Sequence, residues 1–226
     1  DALGALSSQT YPDGTEVSFA PNAFGQATQA IRAGENYATN ATYYPTGSIE
    51  SFTYGNGVVH NTTLNTRNLP SRISDTKAGS KRLHLSYTYD YQNNVKSIID
   101  GMDNRFSLID LSYDGLDRLV STQGYSGIGS SNIRYDGLGN IRQYSTTNSG
   151  KPHDLNYQYD SDFRLIGVTG NGSAGYNFNH TTNGVADSYD ARGNITHNGK
   201  RNFNYNLANQ MTSSGNNTYL YDGHNR

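Results

Sequence analysis

The residues able to do chemistry are few, and their spacing argues against a catalytic or metal centre. The six histidines are His60, His84, His153, His180, His197 and His224, and no two have the i, i+4 spacing by which a helix offers two imidazoles to zinc. Of the 19 acidic residues, six recur in one frame: Asp90, Asp114, Asp136, Asp160, Asp190 and Asp222. Such a set could serve as acid/base pairs or as calcium ligands. It could also be one turn-capping residue repeated because the turn repeats. The second reading is favoured, since the glycine-rich calcium nonapeptide pattern does not occur. Gly124-Tyr125-Ser126-Gly127-Ile128-Gly129 has the glycines of a phosphate loop but no following Lys-Ser/Thr, which makes it a hairpin tip. There is no Gly-Xaa-Ser-Xaa-Gly nucleophile elbow. Cysteine is absent, which excludes a thiolate site or a disulfide framework. The expectation is no catalytic residue, no cofactor and no metal.

Composition excludes further classes. A net charge of −2 gives no basic face for nucleic acid. No run approaches the roughly 20 apolar residues of a membrane span, and residues 1–15 have neither the basic start nor the apolar centre of a signal peptide. What stands out is 27 Asn with 25 Gly, 52 of 226 residues, together with 19 Tyr and no Trp. Asn and Gly are the residue types that best tolerate positive φ, and regularly spaced tyrosines suit strands.

The elements that must position these residues are repeats. Tyr113-Asp114-Gly115-Leu116-Asp117-Arg118-Leu119 is echoed at Tyr135-Asp136-Gly137-Leu138-Gly139-Asn140-Ile141, at Tyr159-Asp160 to Leu165 and at Tyr189-Asp190-Ala191-Arg192-Gly193-Asn194-Ile195. Tyr89-Asp90 to Val95 fits, as does Tyr205 to Met211 with Asn206 in place of Asp. Tyr221-Asp222 begins another copy, and weaker ones start at Pro21, Tyr43 and Leu64. Asp1 to Leu6 reads as a copy without its Tyr. The consensus is Y-D-x-x-G-N/R-L/I, with anchors 16 to 30 residues apart. That variation suits hairpins of unequal length better than a fixed coil.

Each position has a physical reason. Apolar residues alternate before the anchor, as in Leu83, Leu85, Tyr87 and Tyr89, in Ile109, Leu111 and Tyr113, and in Leu155, Tyr157 and Tyr159, which is the period of a strand. The Asp can accept hydrogen bonds from N–H groups about two residues on. The fifth residue supplies positive φ, so Gly139 and Gly193 are expected there, with Asn93, Asp117 and Asn209 tolerated as substitutes. The seventh restarts a strand. Between anchors, Asp13-Gly14, Asn56-Gly57, Ala78-Gly79, Ser149-Gly150, Asn183-Gly184 and Asn198-Gly199 read as two-residue hairpin turns. The fold class expected is all-β: an antiparallel meander of repeated hairpins, roughly twenty strands, forming a curled or spiralling sheet. Tyrosine ladders between neighbouring repeats are expected to hold it together. Residues 1–226 read as a single array, cut within a repeat at both ends.

This array resembles the YD repeats of rearrangement-hotspot (Rhs) proteins, found in insecticidal toxin complexes, polymorphic toxins and teneurins. The resemblance implies part of a YD-repeat shell: a non-catalytic wall that encloses a C-terminal toxin cargo, in a larger bacterial protein that is secreted or at the cell surface. The implied partners are the rest of that polypeptide and its cargo. The Asp-Pro-Leu-Gly-Leu-type segment that closes bacterial cores is missing, so self-cleavage is not assigned to this chain. The motif residues carried by the resemblance are Tyr89, Asp90, Tyr113, Asp114, Tyr135, Asp136, Gly139, Tyr159, Asp160, Tyr189, Asp190, Gly193, Tyr205, Tyr221 and Asp222. An alternative reading is a carbohydrate-binding module or adhesin, in which exposed tyrosines stack on sugar rings.

Overall fold

The computed structural model describes residues 4–147, 153–171, 178–179, 181–182, 185–186, 188–198 and 201–223. Ser149-Gly150, Asn183-Gly184, Gly199, His180, His224 and the first three residues lie outside them. The chain divides into two compact units, Asp1–Ile128 and Gly129–Arg226.

The first unit is an antiparallel meander in which each strand pairs with the next. Its strands are β1 Ser8–Thr10, β2 Glu16–Ser18, β3 Ala30–Arg32, β4 Glu35–Tyr43, β5 Ile49–Tyr54, β6 Val59–Leu64, β7 Pro70–Lys77, β8 Ser80–Tyr89, β9 Val95–Asp100, β10 Leu108–Tyr113 and β11 Leu119–Gly124. The second unit continues the pattern with β12 Ser131–Tyr135, β13 Ile141–Thr146, β14 His153–Tyr159, β15 Leu165–Asn171 and β16 Phe178–Asn179. It also holds the pair β17 Thr181–Thr182 and β18 Val185–Ala186, and the three-stranded meander β19 Phe203–Tyr205, β20 Met211–Ser214 and β21 Asn217–Thr218. Among the described residues the one helical piece is a 3-10 turn at Asn104–Phe106.

Meander order sorts the turns by strand end. Within each unit the motif turns lie at one end of the strands and the intervening turns at the other. The core is thin. Among the described residues only Leu111, Leu155 and Val168 are buried apolar side chains. In the second unit, cross-strand pairs align Ile133, Tyr144 and Leu155 on one face, and Tyr157 opposite Val168. Alternation holds in β14 but not throughout β10. There a β-bulge falls at Ile109, which is 39% exposed, while Leu111 is 8% exposed.

The intervening turns are of more than one kind. At Ala78-Gly79 both residues take positive φ, 49° and 79°, and Lys77 pairs with Ser80, so this is a two-residue turn as expected. Ala33-Gly34 is another, at 49° and 84°, with no Asn or Asp to announce it. Asp13-Gly14 and Asn56-Gly57 differ from expectation. Only the glycine has positive φ, and the loop is longer: Tyr11 N–H donates to Thr15 and Tyr54 N–H to Val58. The cause is the acidic or amide side chain. Asp13 accepts from Thr15 N–H (2.9 Å) and Asn56 from Val58 N–H (3.0 Å), which holds each in the right-handed part of a turn with a glycine bulge.

Candidate functional site

The repeated feature of this molecule is the motif turn, and its chemistry is hydrogen bonding. In each copy the N–H of the Asp position donates to the carbonyl four residues on, and the N–H of the fifth residue donates back to the carbonyl of the Asp position. The Asp side chain fills the loop. Oδ1 of Asp90, Asp114, Asp136, Asp160 and Asp190 each accepts two backbone N–H groups, two and four residues on, at 2.8–3.1 Å. Asn22, Asn65 and Asn206 do the same. The fifth residue is left-handed throughout: Gly139 at 89°, Gly193 at 84°, Asn93 at 73°, Asp117 at 58°, Asn209 at 61°. Phe163 is there too, at 61°, where a bulky side chain is strained.

The sixth position has a role the consensus does not reveal. The second carboxylate oxygen needs a donor, and Asn or Arg supplies it: Asn94 and Asn140 amides, Arg118 and Arg164 guanidiniums, Asn194 amide, at 2.7–3.2 Å. At two of the three copies where Asn replaces Asp, its amide is itself a donor and the sixth residue is an acceptor; at Asn65 the sixth residue is Leu69, which makes no such bond. Asn22 donates to Gln26 (2.8 Å) and Asn206 to Gln210 (2.5 Å). This exchange of polarity was readable in the sequence.

These bonds set the electrostatics. The Asn140 amide, with the turn N–H groups and Arg142, lowers the Asp136 pKa to about 2. The Arg118 side chain lowers that of Asp114, and the Asn194 amide that of Asp190. At Asp160 burial opposes the shift, but the Arg164 bonds outweigh it and the net direction is down.

The tyrosines join one repeat to the next. Six of the anchor hydroxyls donate to the carbonyl of the seventh residue in the preceding repeat: Tyr43 to Ala27, Tyr89 to Pro70, Tyr113 to Val95, Tyr159 to Ile141, Tyr189 to Leu165 and Tyr221 to Met211, at 2.5–3.0 Å. This corrects the expected tyrosine ladder. Tyr89, Tyr113, Tyr159 and Tyr189 do not stack on one another, because repeats meet two strands apart and the ring lies over the intervening strand end. Burial raises the pKa of all four. Further links run the same way. Asn94 donates to Asp117 (2.8 Å) and Asn194 to Asn209 (2.9 Å), each from the sixth residue of one copy to the fifth of the next. Arg142 lies 4.8 Å over the Tyr159 ring and Arg164 5.5 Å over that of Tyr189.

One constellation was not legible in the sequence. Pairing of β5, β6 and β7 places Phe52 beside His60 and His60 beside Asp75. His60 Nδ1 is 2.7 Å from Asp75 and its Nε2 3.2 Å from the Thr62 hydroxyl, with Phe52 stacked on the ring at 4.9 Å. The order Thr–His–Asp is that of a nucleophile relay, but His60 sits inside a strand paired on both sides. Its surroundings have their N–H groups tied up in the ladder, where an acyl-transfer site needs them free for an oxyanion. Among the described residues no group of three or more metal-ligating side chains forms, and no helix is long and apolar enough to cross a membrane.

The Teneurin YD-shell family model matches residues 85–224. No curated protein matches the sequence. Among solved structures, TcdB2-TccC3 superposes with a TM-score of 0.75 at 19% identity, over 94% of this chain and 12% of that one. TcdB2-TccC3-Cdc42 gives 0.74 at 19% over the same shares. TcdB2-TccC3 without its hypervariable C-terminal region gives 0.74 at 18%, over 99% and 12%. The chain thus spans about an eighth of the length of the chains it resembles.

Proposed function

The chain belongs to the Teneurin YD-shell family, and from that premise we propose that it is a non-catalytic wall segment of an Rhs-type shell enclosing a C-terminal toxin cargo. The observation that carries this reading is where the polar groups of the motif go. The carboxylates hold turns, and the tyrosine hydroxyls hold neighbouring repeats, so the conspicuous side chains are committed to the wall. The His60 relay fits the same reading as a cross-strand contact. A wall assembled this way gains stability from each added neighbour, as repeat proteins do, and needs no metal. The partners are the remaining polypeptide and the cargo, and the setting is a secreted or surface-exposed bacterial protein.

The test is protection. In the full-length polypeptide the cargo should resist a protease that digests it once it is released by urea, and electron microscopy should show density inside a closed wall. A cargo cut as fast in the native protein as in the unfolded one would overturn the enclosure.

A further inference from the structure

The cations of this chain are unevenly placed. The β7–β8 hairpin, residues 70–89, holds Arg72, Lys77, Lys81 and Arg82 but one acidic residue, Asp75, and that carboxylate is engaged by His60 Nδ1 at 2.7 Å. Four cations against one carboxylate leave +3 on a single hairpin of a chain whose net charge is −2. Elsewhere cations lie against aspartates, as Lys96 does on Asp110 (3.1 Å), Arg118 on Asp114 (2.6 Å) and Arg142 on Asp136 (2.8 Å). The four hairpin side chains are exposed, and among the described residues none of them makes an ion pair or a side-chain hydrogen bond.

Strand register gathers this charge. Arg72 faces Ser86, Ser74 faces His84 and Thr76 faces Lys81, which puts all six on one face of the sheet. Three residues apart, Lys81 and His84 would fall on opposite faces of a regular strand. A bulge prevents this: Asp75 pairs with Leu83 and Thr76 with Lys81, so Arg82 is the extra residue. Arg72 and Thr76 are four residues apart in β7, about 13 Å, and Arg72 and Lys81 stand about that far apart along the strand. Their charge reaches into the sheet. Burial lowers the pKa of His84 first, Lys81 and Arg72 lower it further, and Asp100 opposes them. The hairpin is also accessible. β9 pairs with β8 only from Leu85 on, so among the described residues no strand covers Ser80 to Leu83 on that side.

We infer that this face of the β7–β8 hairpin is a docking surface for an extended acidic segment of a partner protein. An extended chain carries same-face side chains about every 7 Å, so carboxylates at alternate positions meet Arg72 and Lys81, with the Ser74 hydroxyl between them as a donor. A second copy of the same hairpin is repelled, because lysines and a bulge are the devices that keep strand edges from pairing with each other. A single-stranded nucleic acid finds charge there but no platform for its bases, since Tyr87 and Tyr89 alternate onto the other face. The surface uses no motif residue and stands or falls independently of the enclosure.

The experiment is fluorescence anisotropy on the chain with a fluorescein-labelled decapeptide of alternating Glu and Thr, beside the same peptide with Lys for Glu and an oligothymidylate of charge equal to the Glu peptide. The Glu peptide should bind at low salt with a dissociation constant of about 0.1 mM or tighter. Salt at about 1 M, where charges are screened within roughly 3 Å, should abolish binding. Lys77→Gln with Lys81→Gln should weaken it about fivefold, the loss expected for two exposed ion pairs. Arg72→Gln with Arg82→Gln should do the same, and gives a second reading should the first double variant unfold. Arg134→Gln with Arg201→Gln removes as much charge from exposed positions in the second unit and should leave binding unchanged. Circular dichroism checks that each variant is folded. No binding of the Glu peptide, binding of the Lys peptide, equal weakening by the Arg134 and Arg201 changes, or tighter binding of the oligothymidylate would each overturn the inference.

Discussion

The two ends of the strands are built by different rules. At the motif end the turns share one backbone form, most are filled by one carboxylate or amide, and six anchors carry a hydroxyl that bridges to the preceding repeat. At the other end the first unit alone uses two-residue turns, longer turns with a glycine bulge, and a 3-10 segment whose Ser107 is fully buried. Repeats are joined where uniformity is needed for register, and they are free to vary where they are not. The variable end is also where the basic β7–β8 hairpin turns.

The comparison breaks most sharply at Gly55, a variable-end residue with no freedom. Gly55→Ala should lower the unfolding free energy in urea by about 3 kcal/mol, because the new methyl meets backbone on the next strand. Gly193→Ala, at a motif turn with open space around it, should lose only about 1 kcal/mol, from backbone conformation alone. Equal losses would mean that the close approach at Gly55 is relieved by strand movement.

The polarity rule of the motif end gives the next test. Asp114→Asn sets an amide donor against the Arg118 guanidinium and should lower the melting temperature. Adding Arg118→Gln rebuilds the Asn–Gln pair seen at Asn22/Gln26 and Asn206/Gln210. The double variant should recover at least half of the loss, which a simple sum of two defects would not do.

Much of this was legible in the sequence, and the remainder has physical reasons. The turn was readable because positive φ and carboxylate capping each demand particular residue types, as at Gly139 and Asp136. The tyrosine's partner was not, because a backbone carbonyl such as that of Ile141 carries no residue signature. Asp13-Gly14 and Asn56-Gly57 misled because glycine takes the left-handed position in both turn types, and only a local side-chain bond selects between them. Ala33-Gly34 was missed although it has the same Ala-Gly pair and the same backbone as Ala78-Gly79, because the strand β3 before it is only three residues long and shows little alternation. The shared face of Arg72 and Lys81 and the His60 contact depend on a bulge and on strand register, neither of which a single strand encodes.

Smaller effects refine the contrast. Ala78→Asn should stabilise the variable end by about 1 kcal/mol, since Asn accepts the left-handed region that Ala resists. A drop in melting temperature instead would show that the Ala78 methyl makes a contact that outweighs its strain. The motif end should also carry most of the acid sensitivity, with Asp114, Asp136, Asp160 and Asp190 lowered there against Asp13 and Asp103 at the other end. Folding lowers the pKa of Asp114, Asp136 and Asp190, so their stabilisation is complete above about pH 4 and fades as pH falls through their lowered values. The tyrosines, with raised pKa, act in the opposite sense. Their contribution is complete below about pH 10 and is lost as pH rises beyond it. Between these limits the motif groups should give no slope, and a loss of stability as pH falls below about 6.5 is expected from His84 alone, whose pKa burial lowers.

The most direct test of the motif as a joint between repeats is to remove its hydroxyls together. A single variant carrying Tyr89→Phe, Tyr113→Phe, Tyr159→Phe and Tyr189→Phe keeps every ring and deletes four inter-repeat hydrogen bonds. Urea unfolding should show a loss of about 4 kcal/mol, near 1 kcal/mol for each bond, with the β-sheet spectrum unchanged before the transition. An unfolding midpoint equal to that of the parent protein would contradict the account, because the tyrosines would then be fillers of the sheet and not the bonds between its repeats.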